Sequence, residues 1–537
     1  MCGLSLKMLG LNREPSEAES VGMETFLDKH ADSLKGVLSG FDRIVFRGLF
    51  RRLSFVDGFS GFLGGHGVLF KNFKPFVDRV SNQLVEHAKA MANSQGREYR
   101  YLHSSRLSKE DIARHIMERD EVKEGLICVL SCVEPCRSYG IRKNAKAKTL
   151  DLVSQERKCL HLYFYYLDPE FGFMHVRLQT WFPMSLQVCL NGREYLAKQL
   201  DRRGIGYEKR DNCFARIDDL PRAQKLLDKL EKRRWGRILN RFARKVNPFL
   251  PRKNPLNLSL PGYYWTVRQS EHALDLMFQD RQSLQMLYPS LVRHGIDAFG
   301  SQDVMRFLGR RTNSRFNGEA SSNIRTRDEG TRIKHWVEEN SIKMYDKQGT
   351  VLRIETTINN PRRFKVRRKV TRQGKEVMAW VYMRKGIVDL RRRAEIGRAS
   401  NERYLQALAV VGASAPTRHL IDRASKRVTR DGRVYRGLRP LQMDEAAVFQ
   451  VLLSGVFLLQ GFRNKDVRQQ LYPSVERRPA ERKRAAGRVT RLLRLYRAHG
   501  LIKKISHTSY YRVTTKGQRI MSVALRLREI DIPQLAA

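Results

Sequence analysis

Apolar and polar residues alternate most strictly along Ser341–Thr357, SIKMYDKQGTVLRIETT. Ile342 and Met344 alternate with Lys343 and Tyr345, and Leu352 and Ile354 with Val351, Arg353 and Glu355. Such alternation predicts two strands with one buried face each. A three-residue loop of Lys347, Gln348 and Gly349 would close them, the glycine taking the left-handed position. In that register Tyr345 faces Val351, Met344 faces Leu352, Lys343 faces Arg353 and Ile342 faces Ile354. The apolar partners then share one face, and Lys343, Tyr345, Arg353 and Glu355 share the other. Two directly opposed cations repel, so an anion is expected between them, and a phosphate would serve.

The same reading, taken from the N-terminal side, predicts a helix over Met23–Leu38 and then a strand, FDRIVFRGLF. Asp42 lies in phase with Ile44 and Phe46 on that strand; it could be a buried carboxylate serving a metal or a residue at a strand end. A helix over Phe70–Ala92, a strand over Arg97–Leu102, a helix over Lys109–Glu118 capped by Ser108 and a strand over Gly125–Val133 follow. Cys159–Thr180 reads as a second hairpin turning at Asp168–Gly172, with Leu162 and Phe164 meeting Leu178 and Val176. Its opposite face gathers His161, Tyr163, Tyr165, His175, Arg177 and Gln179. That face is either a platform for stacked bases or core beneath a helix.

Ser185–Arg202 has the period of an amphipathic helix, and Tyr207–Ile217 that of an edge. Leu220–Lys245 is basic and helical, and Pro248, Pro251, Pro255 and Pro261 then interrupt the chain. Tyr263–Val267 reads as a strand entering a helix, Gln269–Asp280, on which Glu271 and Asp275 share a face. Two carboxylates so placed can hold a divalent cation or stand in solvent. Thr312–Glu329 reads as a polar loop, and Arg362–Arg398 as a cationic stretch tracking a phosphate backbone.

Past Pro440 the pattern is an apolar-striped helix over Asp444–Leu459 and a short helix, Lys465–Leu471, capped by Asn464. A long helix over Ala480–His499 then carries Arg482, Lys483, Arg484, Arg488, Arg491 and Arg494. Gly500 stops it, Leu501–Ile505 and Tyr510–Thr514 form a hairpin, and a helix runs on from Thr515. The fold class expected is α+β multidomain: an N-terminal α/β domain (1–220), a basic helix and Pro-rich linker (221–262), a central domain with the opening hairpin (263–400), a connector (401–440) and a C-terminal helical domain with a hairpin (441–537).

Charge narrows the partners. Lys and Arg number 102 against 55 acids in 537 residues, a net charge of +47. Nucleic acid is the partner such an excess points to, DNA first and RNA second. No apolar run approaches the ~20 residues a membrane span needs, and the N-terminus is too weakly apolar for a secretory signal. A cytoplasmic protein is expected. Cys128, Cys132 and Cys136 lie in a buried-strand pattern with no histidine to complete a zinc site. There is no Walker-type loop and no His-x-His pair.

Three resemblances add to this. RLLRLYRAHGLIKKI…YYRVTTKG resembles the winged-helix domains of MarR-type regulators over 441–537. That resemblance implies that the basic helix enters a DNA major groove and that His507, Thr508 and Arg512 at the wing reach the neighbouring backbone. The layout of IKMYDK…LRIE ahead of such an end is similar to that of an uncharacterised, multi-copy bacterial family. Tyr-x-Lys followed by Leu-Arg-x-Glu is similar to a segment of rolling-circle replication initiators, matching Tyr345, Lys347, Arg353 and Glu355. This last resemblance implies a mobile-element enzyme that nicks DNA in replication initiation or a transposase-like reaction. Tyr345 would be the nucleophile, Lys343 and Arg353 would neutralise the phosphate, and Glu355, with Glu271 and Asp275 or Asp42, would hold Mg²⁺ or Mn²⁺. A hydrolase using water with the same carboxylates gives the same pattern. The competing class is a non-enzymatic DNA-binding regulator or a protein binding structured RNA.

Overall fold

The computed structural model describes residues 25–309, 320–327, 330–372, 374–411, 417–477, 479–505 and 508–529. The fold is mixed α/β, with a large mixed sheet and, among the described residues, sixteen α-helices. The sheet strands are β1 (Leu34–Leu49), β2 (Glu98–Leu102), β3 (Gly125–Asn144), β4 (Thr149–Asp168), β5 (Gly172–Gln179) and β6 (Leu186–Asn191). After a separate small hairpin, β7 (Tyr207–Arg210) and β8 (Cys213–Ile217), come β9 (Tyr264–Phe278), β10 (Ala320–Arg327), β11 (Gly330–Val337), β12 (Asn340–Lys347) and β13 (Val351–Ile358). The sheet order is β10-β11-β12-β13-β9-β1-β6-β5-β4-β3-β2.

The chain gathers into two compact units: Ser39–Ala273 with Thr357–Gly397, and Met1–Leu38 with Leu274–Thr356 and Arg398–Ala537. In the first, β3, β4, β5 and β6 pair antiparallel in sequence, while β2 adds parallel to β3. The register of β4 on β5 is the one expected from the alternation, Leu162 opposite Leu178 and Phe164 opposite Val176. The helix Lys109–Arg119 lies over this sheet, placing Ala113 and Ile116 in one core with Ile127, Leu130, Tyr163 and Tyr165. Ser108 caps it as the sequence suggests, accepting from the Asp111 amide at 3.3 Å.

Several elements differ from the sequence expectation. The helix at Met23–Leu38 is confined in the described residues to Phe26–Lys29, and Leu34 already begins β1. Ser185–Arg202 divides: LQVCLN is β6, and Asn191 then caps a helix over Gly192–Asp201 by accepting from the Arg193 and Glu194 amides at 2.7 and 3.1 Å. Gly192 is required there, because a Cβ would stand 1.8 Å from the Phe41 carbonyl oxygen. Gln269–Asp280 is not a helix, since β9 runs without a break from Tyr264 to Phe278. HALDLMF is an apolar run that suits a buried helix or a strand covered on both faces, and a strand inside a large sheet is covered on both.

In the second unit β10, β11 and β12 pair antiparallel. β10 therefore occupies part of the stretch expected to be a loop; residues 312–319 and 328–329 of that stretch lie outside the described residues. The turn from β12 to β13 is tighter than expected. Lys347 stays in the strand, and Gln348 and Gly349 are both left-handed, with φ of 59° and 72°. Two consecutive positive φ values make a type I′ turn, whose twist matches the strands it joins.

The C-terminal run consists of helices Met443–Leu452, Gly455–Gln460, Asn464–Leu471 and Pro479–Ala498, a small hairpin of Ile502–Lys504 and Tyr511–Val513, and a helix Thr515–Glu529. Gly500, at φ 73°, ends the long helix. Asn464 is the first residue of its helix and not its cap. Arg463 is the N-cap, its amide donating to Asp466 at 2.8 Å. The Asn464 amide instead donates to the Ala486 carbonyl and the Thr490 hydroxyl, at 3.0 and 2.9 Å, which fixes the short helix against the long one.

Candidate functional site

The β12–β13 hairpin brings Lys343, Tyr345, Arg353 and Glu355 onto one face. Lys343 Nζ lies 2.7 Å from Glu355 Oε1, and the Tyr345 hydroxyl donates to Glu355 Oε2 at 3.0 Å. The Arg353 guanidinium stands 6.0 Å from the centre of the Tyr345 ring. The anions that relieve Lys343 and Arg353 are carboxylates of the protein. Lys343 is paired with Glu355, and Arg353 donates from Nε and Nη2 to the two oxygens of Asp275, at 2.5 and 2.8 Å. Both side chains of that second pair are fully buried, at 0% and 1% exposure. The two-point geometry is the strong form of an ion pair. A phosphate is therefore not needed to explain the apposition.

Asp275 is thereby held by a guanidinium, which corrects its assignment as a metal ligand partnered with Glu271. The cause is the backbone. On a helix residues four apart are neighbours, but on β9 they share a face ~13 Å apart, at ~3.3 Å per residue. Glu271 and Asp275 cannot hold one ion.

Glu271 and Asp42 have different surroundings. Asp42 is buried on β1, in phase with Ile44 and Phe46 as its place in the pattern implied. The Asn212 side-chain amide, from the β7–β8 turn, donates to both its oxygens at 2.9 and 3.0 Å. Glu271 accepts from Gln269 at 2.7 Å. Asp42, Glu271 and Glu355 each carry a carboxylate, the kind of ligand that suits a hard divalent cation such as Mg²⁺ or Mn²⁺. Lys343 is an ion-pair neighbour of Glu355 Oε1, although that oxygen makes no hydrogen bond of regular geometry.

The aromatic face of the β4–β5 hairpin is core. Tyr163 and Tyr165 are buried beneath the helix Lys109–Arg119. The Tyr163 hydroxyl and Arg177 both donate to Glu134, at 2.7 and 2.8 Å. Burial drives both phenol pKa values up and pushes that of His175 down to about 3. Tyr163, Tyr165 and Arg177 are thus corrected from base-stacking candidates to internal residues; an aromatic strand face and a neighbouring amphipathic helix satisfy each other. Cys128 and Cys132 are likewise buried, and burial raises the Cys128 thiol to about 12.

At the C-terminus Arg482, Lys483, Arg484, Arg488, Arg491 and Arg494 are all exposed along the long helix, while Val489, Leu493 and Tyr496 form its inner stripe. Thr508 is exposed and Arg512 half-buried on the small hairpin; His507 lies outside the described residues. No described helix is long and apolar enough to cross a membrane.

Sequence reasoning missed Asn212, whose signal was only a turn position, and Arg393. Arg393 is fully buried and donates to the Ile358 and Val267 carbonyls at 3.0 and 2.9 Å. Burial pulls its pKa down to about 10. It closes backbone groups of the strands around it.

No family model, no curated protein and no solved structure matches this chain.

Proposed function

We propose that the chain is a divalent-metal-dependent enzyme that nicks or cleaves DNA, in the manner of a mobile-element initiator or transposase-like protein. The observation that supports this reading is the hairpin face itself, where the Tyr345 hydroxyl donates to Glu355 at 3.0 Å and Lys343 lies 2.7 Å from the same carboxylate. A nucleophile, a carboxylate and a cation are the groups that phosphoryl transfer through a covalent intermediate uses. Mg²⁺ or Mn²⁺ held by carboxylates would polarise a scissile phosphate and lower the barrier to attack.

The residues have definite roles under this proposal. Asn212 orients Asp42, Gln269 orients Glu271, and Tyr345 and Lys343 fix Glu355. Lys343, already beside Glu355, is the cation available to the charge that develops on phosphate. The Tyr345 hydroxyl is the group whose proton Glu355 can accept, so it is the candidate for attack on phosphorus. Arg353 is a positioning residue, committed to Asp275. Target DNA would be engaged by the exposed cations of the helix Pro479–Ala498, acting as the recognition helix of a winged helix-turn-helix, with Thr508 and Arg512 at the wing.

The test is incubation of the full chain with supercoiled plasmid and Mn²⁺. Nicking that is lost in Glu355→Gln and Glu271→Gln supports the metal role. A covalent DNA adduct absent from Tyr345→Phe identifies the nucleophile, whereas nicking retained by Tyr345→Phe assigns water. Absence of cleavage of DNA and RNA with every divalent metal overturns the enzymatic reading. One observation favours the second reading, a non-enzymatic DNA-binding regulator: Lys343 already neutralises Glu355. That reading predicts tight, salt-sensitive DNA binding with no metal-dependent cleavage.

A further inference from the structure

The cationic stretch after the central hairpin folds into a two-stranded antiparallel ribbon, β14 (Lys365–Arg372) and β15 (Lys375–Tyr382), separate from the large sheet. Its register sorts the side chains by chemistry. Val366 pairs with Val381, Arg368 with Ala379 and Val370 with Val377 on one face. That face is the more covered one: Val366 is buried, and Arg368 is anchored to Asp389 at 3.2 Å. On the other face Lys365 pairs with Tyr382, Arg367 with Trp380 and Lys369 with Met378. Here every one of the six is exposed, Trp380 by 65% and Tyr382 by 61%. One strand presents a row of cations and the other a row of rings and a thioether.

A protein gains nothing in its own fold from leaving a tryptophan and a tyrosine side by side in water. The opposed cations specify the occupant. Lys365 already stands 5.4 Å from the Tyr382 ring centre. A ligand that carries both flat apolar faces and regularly spaced negative charge meets both rows at once, and that is nucleic acid. The spacing decides between its forms. Trp380 and Tyr382 are two residues apart on one strand, ~6.6 Å, which is about twice the 3.4 Å step of stacked bases in a duplex. A duplex has no gap for either ring, whereas an unpaired strand can offer each ring its own base.

We propose that this ribbon is a binding site for single-stranded nucleic acid, Trp380 and Tyr382 stacking on successive unpaired bases while Lys365, Arg367 and Lys369 contact the backbone. The inference rests on the nucleic-acid reading above but not on cleavage or on a metal.

The experiment is fluorescence anisotropy of the full chain in EDTA with a labelled oligothymidylate and, separately, a labelled duplex. Trp380→Ala is expected to weaken single-strand binding ~5- to ~150-fold, the range for loss of one stacked base, with duplex affinity unchanged. Trp380→Phe, which keeps a ring, is expected to recover most of it. Replacing Lys365, Arg367 and Lys369 by alanine should flatten the salt slope for the single strand by about 2, at ~0.7 per phosphate contact. All these side chains are exposed, and circular dichroism checks that each variant is folded. Equal single-strand affinity in wild type and Trp380→Ala overturns the ribbon alone, as does a parallel loss for the duplex. Wild type that binds neither probe at low salt overturns the nucleic-acid reading with it.

Discussion

The Arg353–Asp275 pair offers the most sharply defined perturbation. Arg353→Met keeps most of the side-chain volume and removes the charge, leaving Asp275 buried without its guanidinium. At a charge separation of ~4 Å and an effective dielectric of ~20, the lost attraction is ~4 kcal/mol. Experience with broken buried pairs gives a similar ~3–5 kcal/mol. Both side chains are almost completely inaccessible, so solvent does not screen this value. The assay is urea unfolding at pH 7.5 for wild type, Arg353→Met, Asp275→Leu and the double variant. Each single change should cost ~3–5 kcal/mol. The double variant should return to within ~1–2 kcal/mol of wild type, because two apolar residues bury without an orphaned charge. Single changes costing under ~1 kcal/mol, or costs that simply add, would refute the account of Asp275 as the counter-ion of Arg353 and reopen it as a metal ligand.

Other expectations follow from the same geometry. Mn²⁺ should raise the thermal midpoint of wild type and not of Glu271→Gln; at one hundred times the dissociation constant the stabilisation is ~2.7 kcal/mol, and an equal shift in both proteins would remove the metal site. Arg488→Ala with Arg491→Ala should flatten the slope of duplex affinity against salt by about 2, at ~0.9 per phosphate contact; an unchanged slope would take the long helix off the DNA. His335 is bonded between Ser322 and Tyr404, at 2.7 and 3.0 Å, and burial pulls its pKa down to about 4. The unfolded chain therefore takes up the proton first. The stability from neutral His335 is complete above about pH 6.5 and is lost as pH falls toward 4, by up to ~3 kcal/mol. A His335→Gln variant should show a shallower loss of urea midpoint between pH 6.5 and 4, and an identical loss would assign the acid sensitivity elsewhere.

The sequence by itself determined what local pattern and charge can determine. Period-two alternation made the central hairpin and the β4–β5 pairing legible, and Ser108 marked its helix start, because these depend on neighbours along one or two strands. Six cations along the long C-terminal helix were legible as a basic helix, and all six are exposed. Tertiary structure decided everything that depended on what lies across the sheet. HALDLMF fits a helix or a doubly buried strand equally well, and only its place in the sheet made it β9. That change of period, from neighbours at four residues to positions ~13 Å apart, separated Glu271 from Asp275. The tyrosines of β4 became core because a helix covers them, while Trp380 and Tyr382, no more aromatic in sequence, stand in solvent because no described element covers that face of their ribbon. Which carboxylate meets a guanidinium is a matter of contacts between strands far apart in sequence, 78 residues for Asp275 and Arg353, and no spacing along the chain encodes it.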